Sequence, residues 1–481
     1  MIRRFHFCTL LFALAFAGPA HGQIVQTTAP APAQGTAPDF NALSQEALGW
    51  LQDLVRINTT SPPGNELPAA KYVADILTKE GIPNELLEMT PTRSIVVGRL
   101  NASAMSDPSR ALLLLAHLDV VGVSPDKWTV DPFAAVIKDG YIYGRGTIDD
   151  KGMVAANLAA IVALKRGGVA LDRDVIFLAD DDEEQGGEAS IKPAIAKYWD
   201  KFAAGFALNE EGRVILKDGK VQYVGIQASE KVPTNVTVIA TGTSGHASVP
   251  RPDNAVVHLA TAIGKIGAYQ PPVNLTAIVE RYFEALSKVE PDETGKWMRA
   301  LETERKELAA KRLSDLSPVW NSMIRDTIAP TMLQAGVRAN VVPSEARANL
   351  NVRLLPGDAI QTVISNLTSL VNDPQIRFEV AADPGSPAPP SSLDSPLYHT
   401  IEQVSGQVFP GTAVMPFMST GATDSAQLRL HNVQAYGLLP FPLTETDVLR
   451  MHADDERLPL DSFRKGVEYL YRIVVAFVAK K

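Results

Sequence analysis

Cysteine is almost missing from this chain: of 481 residues only Cys8 carries a thiol. It lies inside an N-terminal apolar stretch, so a chain processed past that stretch would have none. This excludes a disulfide scaffold, a thiol nucleophile and a zinc site built on sulfur, and leaves His, Asp and Glu as the available metal ligands. Excess positive charge is missing as well. The formal net charge is −9 and there is no long basic run, which argues against nucleic acid as the main partner, because phosphate binding needs a basic face. No internal repeat is present, and no Gly-x-Ser-x-Gly elbow of a serine hydrolase. A membrane-length apolar run is lacking too. The opening "MIRRFHFCTLLFALAFAGPAHGQ" has Arg3 and Arg4, then an apolar stretch short of the roughly 20 residues that a span needs, then Ala20-His21-Gly22 before Gln23. That is the pattern of a secretory signal with a small-x-small cleavage site. Residues 1–22 are therefore expected to be removed, giving a secreted, periplasmic protein without membrane attachment. Residues 23–40, with "TTAPAPAQGTAP", read as a Pro/Ala linker.

What remains has the composition of a soluble globular protein, with 46% hydrophobic and 21% charged residues. Its length calls for two domains. "ALGWLQDLVRI" (47–57) and "AAKYVADILTKEGI" (69–82) have helical spacing. "ALLLLAHLDVV" (111–121) is a solid apolar run, as in a strand buried on both faces, and "KGMVAANLAAIVALKRGG" (151–168) reads as an amphipathic helix ending at glycines. With "RDVIFLA" and "GFALNEEG" following, the alternation implies an α/β layer with a mostly parallel sheet. Near Glu230 the pattern changes. "PTNVTVIATG" and "ARANLNVRLLPG" alternate with period two, helices fall between them, and "KWMRALETERKELAAKRL" (296–313) reads as a long charged helical region. The simplest organisation is a discontinuous α/β catalytic domain (41–229 and 386–481) with an inserted α+β domain at 230–385.

The chemistry gathers where strands are expected to end, which is where open α/β sheets bind ligands. His117 and Asp119 close one apolar run and share a strand face. Asp149 and Asp150 precede Lys151-Gly152 and a helix, where a helix cap explains one aspartate but not both. "FLADDDEEQGG" follows a buried strand with five consecutive acids, Asp180 to Glu184. Glu210 and Glu211 end a further strand, and His452 lies in "RMHADDERLPL". Each has an ordinary explanation, such as a solvated acidic loop or a structural histidine. Together they bring carboxylates and imidazoles to several strand ends, and divalent cations would offset that negative charge.

The ordered set "HLDVV", "DGYIYGRGTIDDKG", "DEEQGG", "NEEG", "GHASVP", "NVVPSEARANLNVRLLPG" and "MHADDER" resembles the M20 family of zinc peptidases, in its carboxypeptidase S and N-acyl-amino-acid hydrolase branch, from about Leu43 to the C-terminus. The resemblance implies two zinc ions, with cobalt or manganese as substitutes, held by His117, Asp149, Glu184, Glu210 and His452. Asp149 would bridge the metals through a carboxylate preceding a cis peptide. "LNEEG" departs from the family's usual string and leaves Glu211 open as a substitute for Glu210. The resemblance also implies Glu183 as general base and Asp119 as the residue orienting an imidazole. The inserted domain would be a lid and a dimerisation surface. There His246 would steady the carbonyl oxygen, often from the neighbouring subunit, while Asn340, Arg353 and Gly421 would contact substrate. The expected activity is hydrolysis of an amide beside a free carboxylate in a peptide, carboxypeptidase or dipeptidase fashion. The alternatives are an N-acyl-amino-acid hydrolase and a non-catalytic peptide-binding protein.

Overall fold

The computed structural model describes residues 36–102, 107–382, 385 and 387–480. The expected signal at 1–22, Cys8, and the linker up to residue 35 lie outside the described residues. The described residues begin inside the range assigned to the linker. The Asp39 side chain accepts hydrogen bonds from the amides of Asn41 and Ala42 and caps the helix Phe40–Arg56. Leu43, Ala47, Leu51 and Leu54 recur at helical spacing on that helix, and all are buried.

The main sheet has ten strands, and its centre is parallel: Leu112–His117 lies between Val175–Asp180 and Phe206–Asn209, and Gln434–Gly437 follows. Asn84–Thr90 and Arg93–Leu100 close one edge antiparallel, and the other side mixes antiparallel pairs with parallel ones, including the edge strand Pro442–Leu443, so the α/β class expected from the alternation is the class observed. The helix Lys151–Arg166 corrects the amphipathic reading, because every residue from Lys151 to Leu164 is buried. Its small side chains let it run between the sheet and the helices Phe40–Arg56 and Leu460–Val478. A helix apolar all round is a core helix. Among the described residues no helix is long and apolar enough to cross a membrane.

A second, four-stranded antiparallel sheet lies in the order Thr327–Ala335, Glu345–Leu354, Val232–Thr241, Ile376–Val380. Val236, Val238, Ala348, Leu350 and Val352 point to one face and form a separate core with the helices Ala255–Ala268 and Ile360–Val371. The other face is largely polar, with Asn235, Thr237, Asn349, Asn351 and Arg353 on it beside the buried Ile239. The segment between these parts packs differently from the range 230–385. Tyr282, Phe283, Leu286, Met298, Leu313 and Ile324 join the core of the main sheet instead, and the Tyr282 ring meets Phe417 edge-on. The inserted sheet is thus fed by two runs of chain, and the helices between them belong to the larger body. The charged helical region expected over 296–313 consists of two helices, Asp292–Ala300 and Lys306–Leu316. Thr303 breaks it: its hydroxyl donates to the Ala300 carbonyl and accepts from the Arg305 amide, a local alternative to the helical ladder.

Candidate metal centre

The parallel register sets the site. Leu112–His117 and Val175–Asp180 end side by side, with His117 opposite Asp180, and Glu210 follows directly on Phe206–Asn209. Their carboxyl ends therefore open into one place. His117 Nε2 lies 3.0 Å from Asp149 Oδ1, 4.0 Å from Glu183 Oε2 and 3.9 Å from Glu210 Oε2. His452 Nε2 lies 3.0 Å from Asp149 Oδ2 and 3.1 Å from Glu184 Oε2. Asp149 thus reaches one imidazole with each oxygen. Two groups of donors are compact enough to hold an ion: His117, Asp149 and Glu184, and His117, Glu183 and Glu210.

Neighbouring residues hold these side chains in place. The Asp119 carboxylate accepts the amides of Glu183 and Glu184 at 3.1 Å each and lies 3.4 Å from His117 Nδ1. One aspartate therefore fixes both the acidic loop and an imidazole. Behind the loop, Arg93 donates to the Asp181 carbonyl and pairs with Asp182. The Asp149–Asp150 peptide is cis, and Asp150 accepts the His117 amide at 3.3 Å. Glu456, which sequence reasoning did not single out, accepts the amides of Ile148 at 2.8 Å, Asp149 at 3.2 Å and Gly146 at 3.1 Å, and also pairs with Arg145. Its only signal was its place four residues after His452 in "MHADDER". Asp424 was missed too; it is buried in the cleft wall.

Glu210 and Glu211 are separated by geometry. Glu211 takes a positive φ of 67°, and its Oε1 accepts from Ser419 Oγ at 2.8 Å. Ser419 Oγ accepts the Gly421 amide in turn at 2.9 Å, which places Gly421 on the cleft wall. Gly437, beside this turn, lies so close that a Cβ would collide with the Glu210 carbonyl. Gly437→Ala is therefore expected to destabilise the fold by about 1–3 kcal/mol, the usual cost of overpacking. A denaturant midpoint equal to that of the wild type would contradict it.

The electrostatics suit a cation. Burial pushes the carboxyls of Glu183, Glu184 and Glu210 above their ordinary range. Hydrogen bonds that its imidazolium donates to Asp149 and Glu184 push His452 up to about 10. Burial works against a charged His117, but its bonds to Asp119 and Asp149 outweigh this and hold its pKa well above normal. Among the described residues the only cationic partners of Asp149, Glu183, Glu184 and Glu210 are these two imidazoles. Protons satisfy the cluster poorly, since Glu184 Oε1 is buried with no hydrogen-bond partner. Carboxylate oxygen and imidazole nitrogen are the donors that zinc and its neighbours accept, so the residues fit a pair of divalent ions.

The centre opens into a cleft of about 750 Å³. Asp149, Glu183, Glu184, Glu210 and His452 line one side, and Asn235, Asn351 and Arg353 from the second sheet line the other. Arg353 has no carboxylate within ion-pairing distance among the described residues, and burial holds its pKa below the ordinary value. His246 and Asn340 are not part of this cleft lining. His246 lies in a two-stranded ladder in which it pairs with Val341, and Asn340, in the turn just before that ladder's second strand, accepts the Ala247 amide through its carbonyl. Both are exposed, and His246 Nδ1 meets Ser248 Oγ at 2.6 Å.

An α/β sheet whose strand ends gather imidazoles and carboxylates fit for divalent ions is the arrangement expected of a metal-dependent hydrolase. Comparison with known proteins gives the family: residues 113–476 match the model of peptidase family M20/M25/M40, and the chain belongs to it. It is 30% identical over 386 residues to a probable carboxypeptidase S-like 2 of Dictyostelium discoideum, covering 78% of this chain and 73% of the relative. It is 29% identical over 382 residues to the human N-fatty-acyl-amino acid synthase/hydrolase PM20D1, covering 77% and 74%. Among solved structures, the M20 family metallo-carboxypeptidase Sso-CP2 of Sulfolobus solfataricus shares the fold with a TM-score of 0.69 at 20% identity, over 90% of this chain and 99% of that one. Members of this family are typically dependent on two metal ions.

Proposed function

We propose that this protein is a secreted, periplasmic di-zinc hydrolase that cleaves the amide bond next to a free C-terminal carboxylate, in the manner of a carboxypeptidase or dipeptidase. The observation that carries this reading is Arg353, a half-buried guanidinium with no carboxylate partner among the described residues, on the side of the cleft opposite the His and carboxylate cluster. A substrate spanning that cleft would bring a carboxylate to Arg353, where charge-assisted pairing is strong, and its preceding amide to the metal centre.

His117, Asp149, Glu184, Glu210 and His452 would hold the ions. Bound there, divalent ions supply Lewis-acid polarisation of the carbonyl and acidify water. Glu183 is the general base: burial raises its proton affinity, and it would take the proton of the attacking water and pass it to the leaving amine. Asp119 keeps Glu183 and Glu184 in register through their amides. Gly421 shapes the wall beside the scissile bond. A homodimer through the second sheet would let His246 and Asn340 enter the neighbouring subunit's cleft, which is consistent with their absence from the lining of their own. The N-terminal pattern at residues 1–22 supports export.

A second reading, hydrolysis of N-acyl amino acids, is favoured by the relatives named N-fatty-acyl-amino acid synthase/hydrolase. Both substrates end in the same carboxylate and differ on the acyl side. A panel of dipeptides and N-acyl amino acids, each also prepared as its C-terminal carboxamide, tests the proposal. Free amino acid should be released from the carboxylates, release should stop with a chelator, and the carboxamides should react poorly. Arg353→Ala should raise KM for carboxylates by roughly ten- to a hundredfold, the worth of a charged hydrogen-bonded contact. Equal cleavage of carboxylate and carboxamide would overturn the assignment.

A further inference from the structure

The polar face of the second sheet carries a row of asparagines. On the strand Glu345–Leu354, Ala346, Ala348, Leu350 and Val352 point into the helix-covered core. With period two, Asn349, Asn351 and Arg353 therefore point the other way. Across the ladder, Asn235 lies opposite Asn351. Asn235 Oδ1 accepts from Asn349 Nδ2 and from Asn351 Nδ2, at 3.3 Å in each case. Asn349 Nδ2 also donates to Thr331 Oγ1 at 2.8 Å.

These bonds fix which way the Asn351 amide points. Because its NH₂ donates to Asn235, its oxygen is turned to the opposite side, where it accepts from Arg353 Nε at 3.1 Å. A guanidinium grips a carboxylate either side-on, through Nε and one terminal nitrogen, or end-on, through the two terminal nitrogens. Asn351 occupies Nε and so leaves the end-on fork. Among the described residues no protein acceptor is bonded to that fork.

We propose that Asn351, braced by Asn235, is a positioning residue that turns Arg353 end-on to the cleft and thereby sets selectivity for a free carboxylate on the leaving residue. The inference rests on the reading of Arg353 as the carboxylate grip. A neutral amide suits the task, since it orients the guanidinium without cancelling its charge. An aspartate at the same position would pair with Arg353 and compete with the substrate. Neither Asn235 nor Asn351 was a candidate from sequence, where alternating polar positions on a strand read as a solvent face.

The test compares an N-acylated dipeptide with its C-terminal carboxamide on the metal-loaded enzyme. Asn351→Asp should raise KM for the carboxylate by about tenfold or more, with kcat falling far less and the carboxamide KM little changed. Asn351→Ala frees Nε and should lower the same preference more mildly. Asn235→Ala, at an exposed position, should shift it in the same direction, and it carries the test should Asn351→Asp fail to fold. Wild-type carboxylate preference in all three variants, with Arg353→Ala still losing it, would overturn the role of Asn351 and leave the grip intact. A wild-type enzyme indifferent to the carboxylate would overturn both.

Discussion

Glu183→Gln should abolish turnover, by roughly 10²- to 10⁴-fold for the loss of a positioned general base, while the metal content of the protein stays the same. Glutamine keeps the volume and planar shape of the side chain but cannot take a proton at neutral pH. The backbone should not move, because the loop is held through the Glu183 and Glu184 amides by Asp119, and through Asp181 and Asp182 by Arg93. Ion binding should persist because His117, Asp149, Glu184, Glu210 and His452 are all retained. Kinetics on an N-acyl amino acid and elemental analysis of the same preparation decide the matter. Unchanged turnover would refute the role outright. Loss of metal would instead make Glu183 a ligand, an arrangement its position near His117 and Glu210 also allows.

The sequence revealed the donors better than the frame that aims them. His117, the acidic run and Glu210 were legible because each ends an apolar run with a polar or charged side chain, and Asp149 because two adjacent aspartates precede a helix that needs only one as a cap. His452 was legible only through its family motif, since it sits in a loop at a positive φ of 63°. Glu456 stood in the same quoted string and was passed over. Its function is to receive three backbone amides from a segment some three hundred residues earlier, and no local pattern encodes that. The range 230–385 was read as one inserted unit because sequence shows where a pattern changes, not which core a helix joins. Tyr282 and Phe283 could have faced either body, and only packing decides that they face the main sheet. The fully buried helix Lys151–Arg166 misled for a related reason: alanines and glycine among larger apolar residues give a weak stripe that passes for amphipathic.

Asp149→Ala should have the other large effect, and on stability as well as rate. Among the described residues Asp149 is the one carboxylate within 3.0 Å of both imidazoles, His117 through Oδ1 and His452 through Oδ2, so its removal severs the two halves of the centre. In the wild type, stripping with a chelator should lower Tm and adding zinc should restore it, because a ligand that binds only the folded state adds about 2.7 kcal/mol at a hundred times its Kd. The variant should bind less than one ion per chain, show almost no zinc-dependent rise in Tm and lose activity to background. Its metal-free Tm should fall somewhat below that of the stripped wild type, because His117 and His452 each lose a carboxylate partner, but the fold should persist. The substitution removes a buried carboxylate from among other carboxylates, and the Asp149 backbone remains pinned by Glu456. This contrast separates a metal effect from general unfolding: a variant that melts early whether or not zinc is present has lost its fold, and one that still gains stability from zinc as the wild type does has a centre that does not need Asp149. Glu456→Gln provides an intermediate case. It weakens the acceptor for the Asp149 amide without touching a donor atom, so it should loosen zinc binding by roughly 10- to 100-fold, as loss of a supporting contact usually does, and shift the zinc titration of Tm to higher concentration without abolishing it.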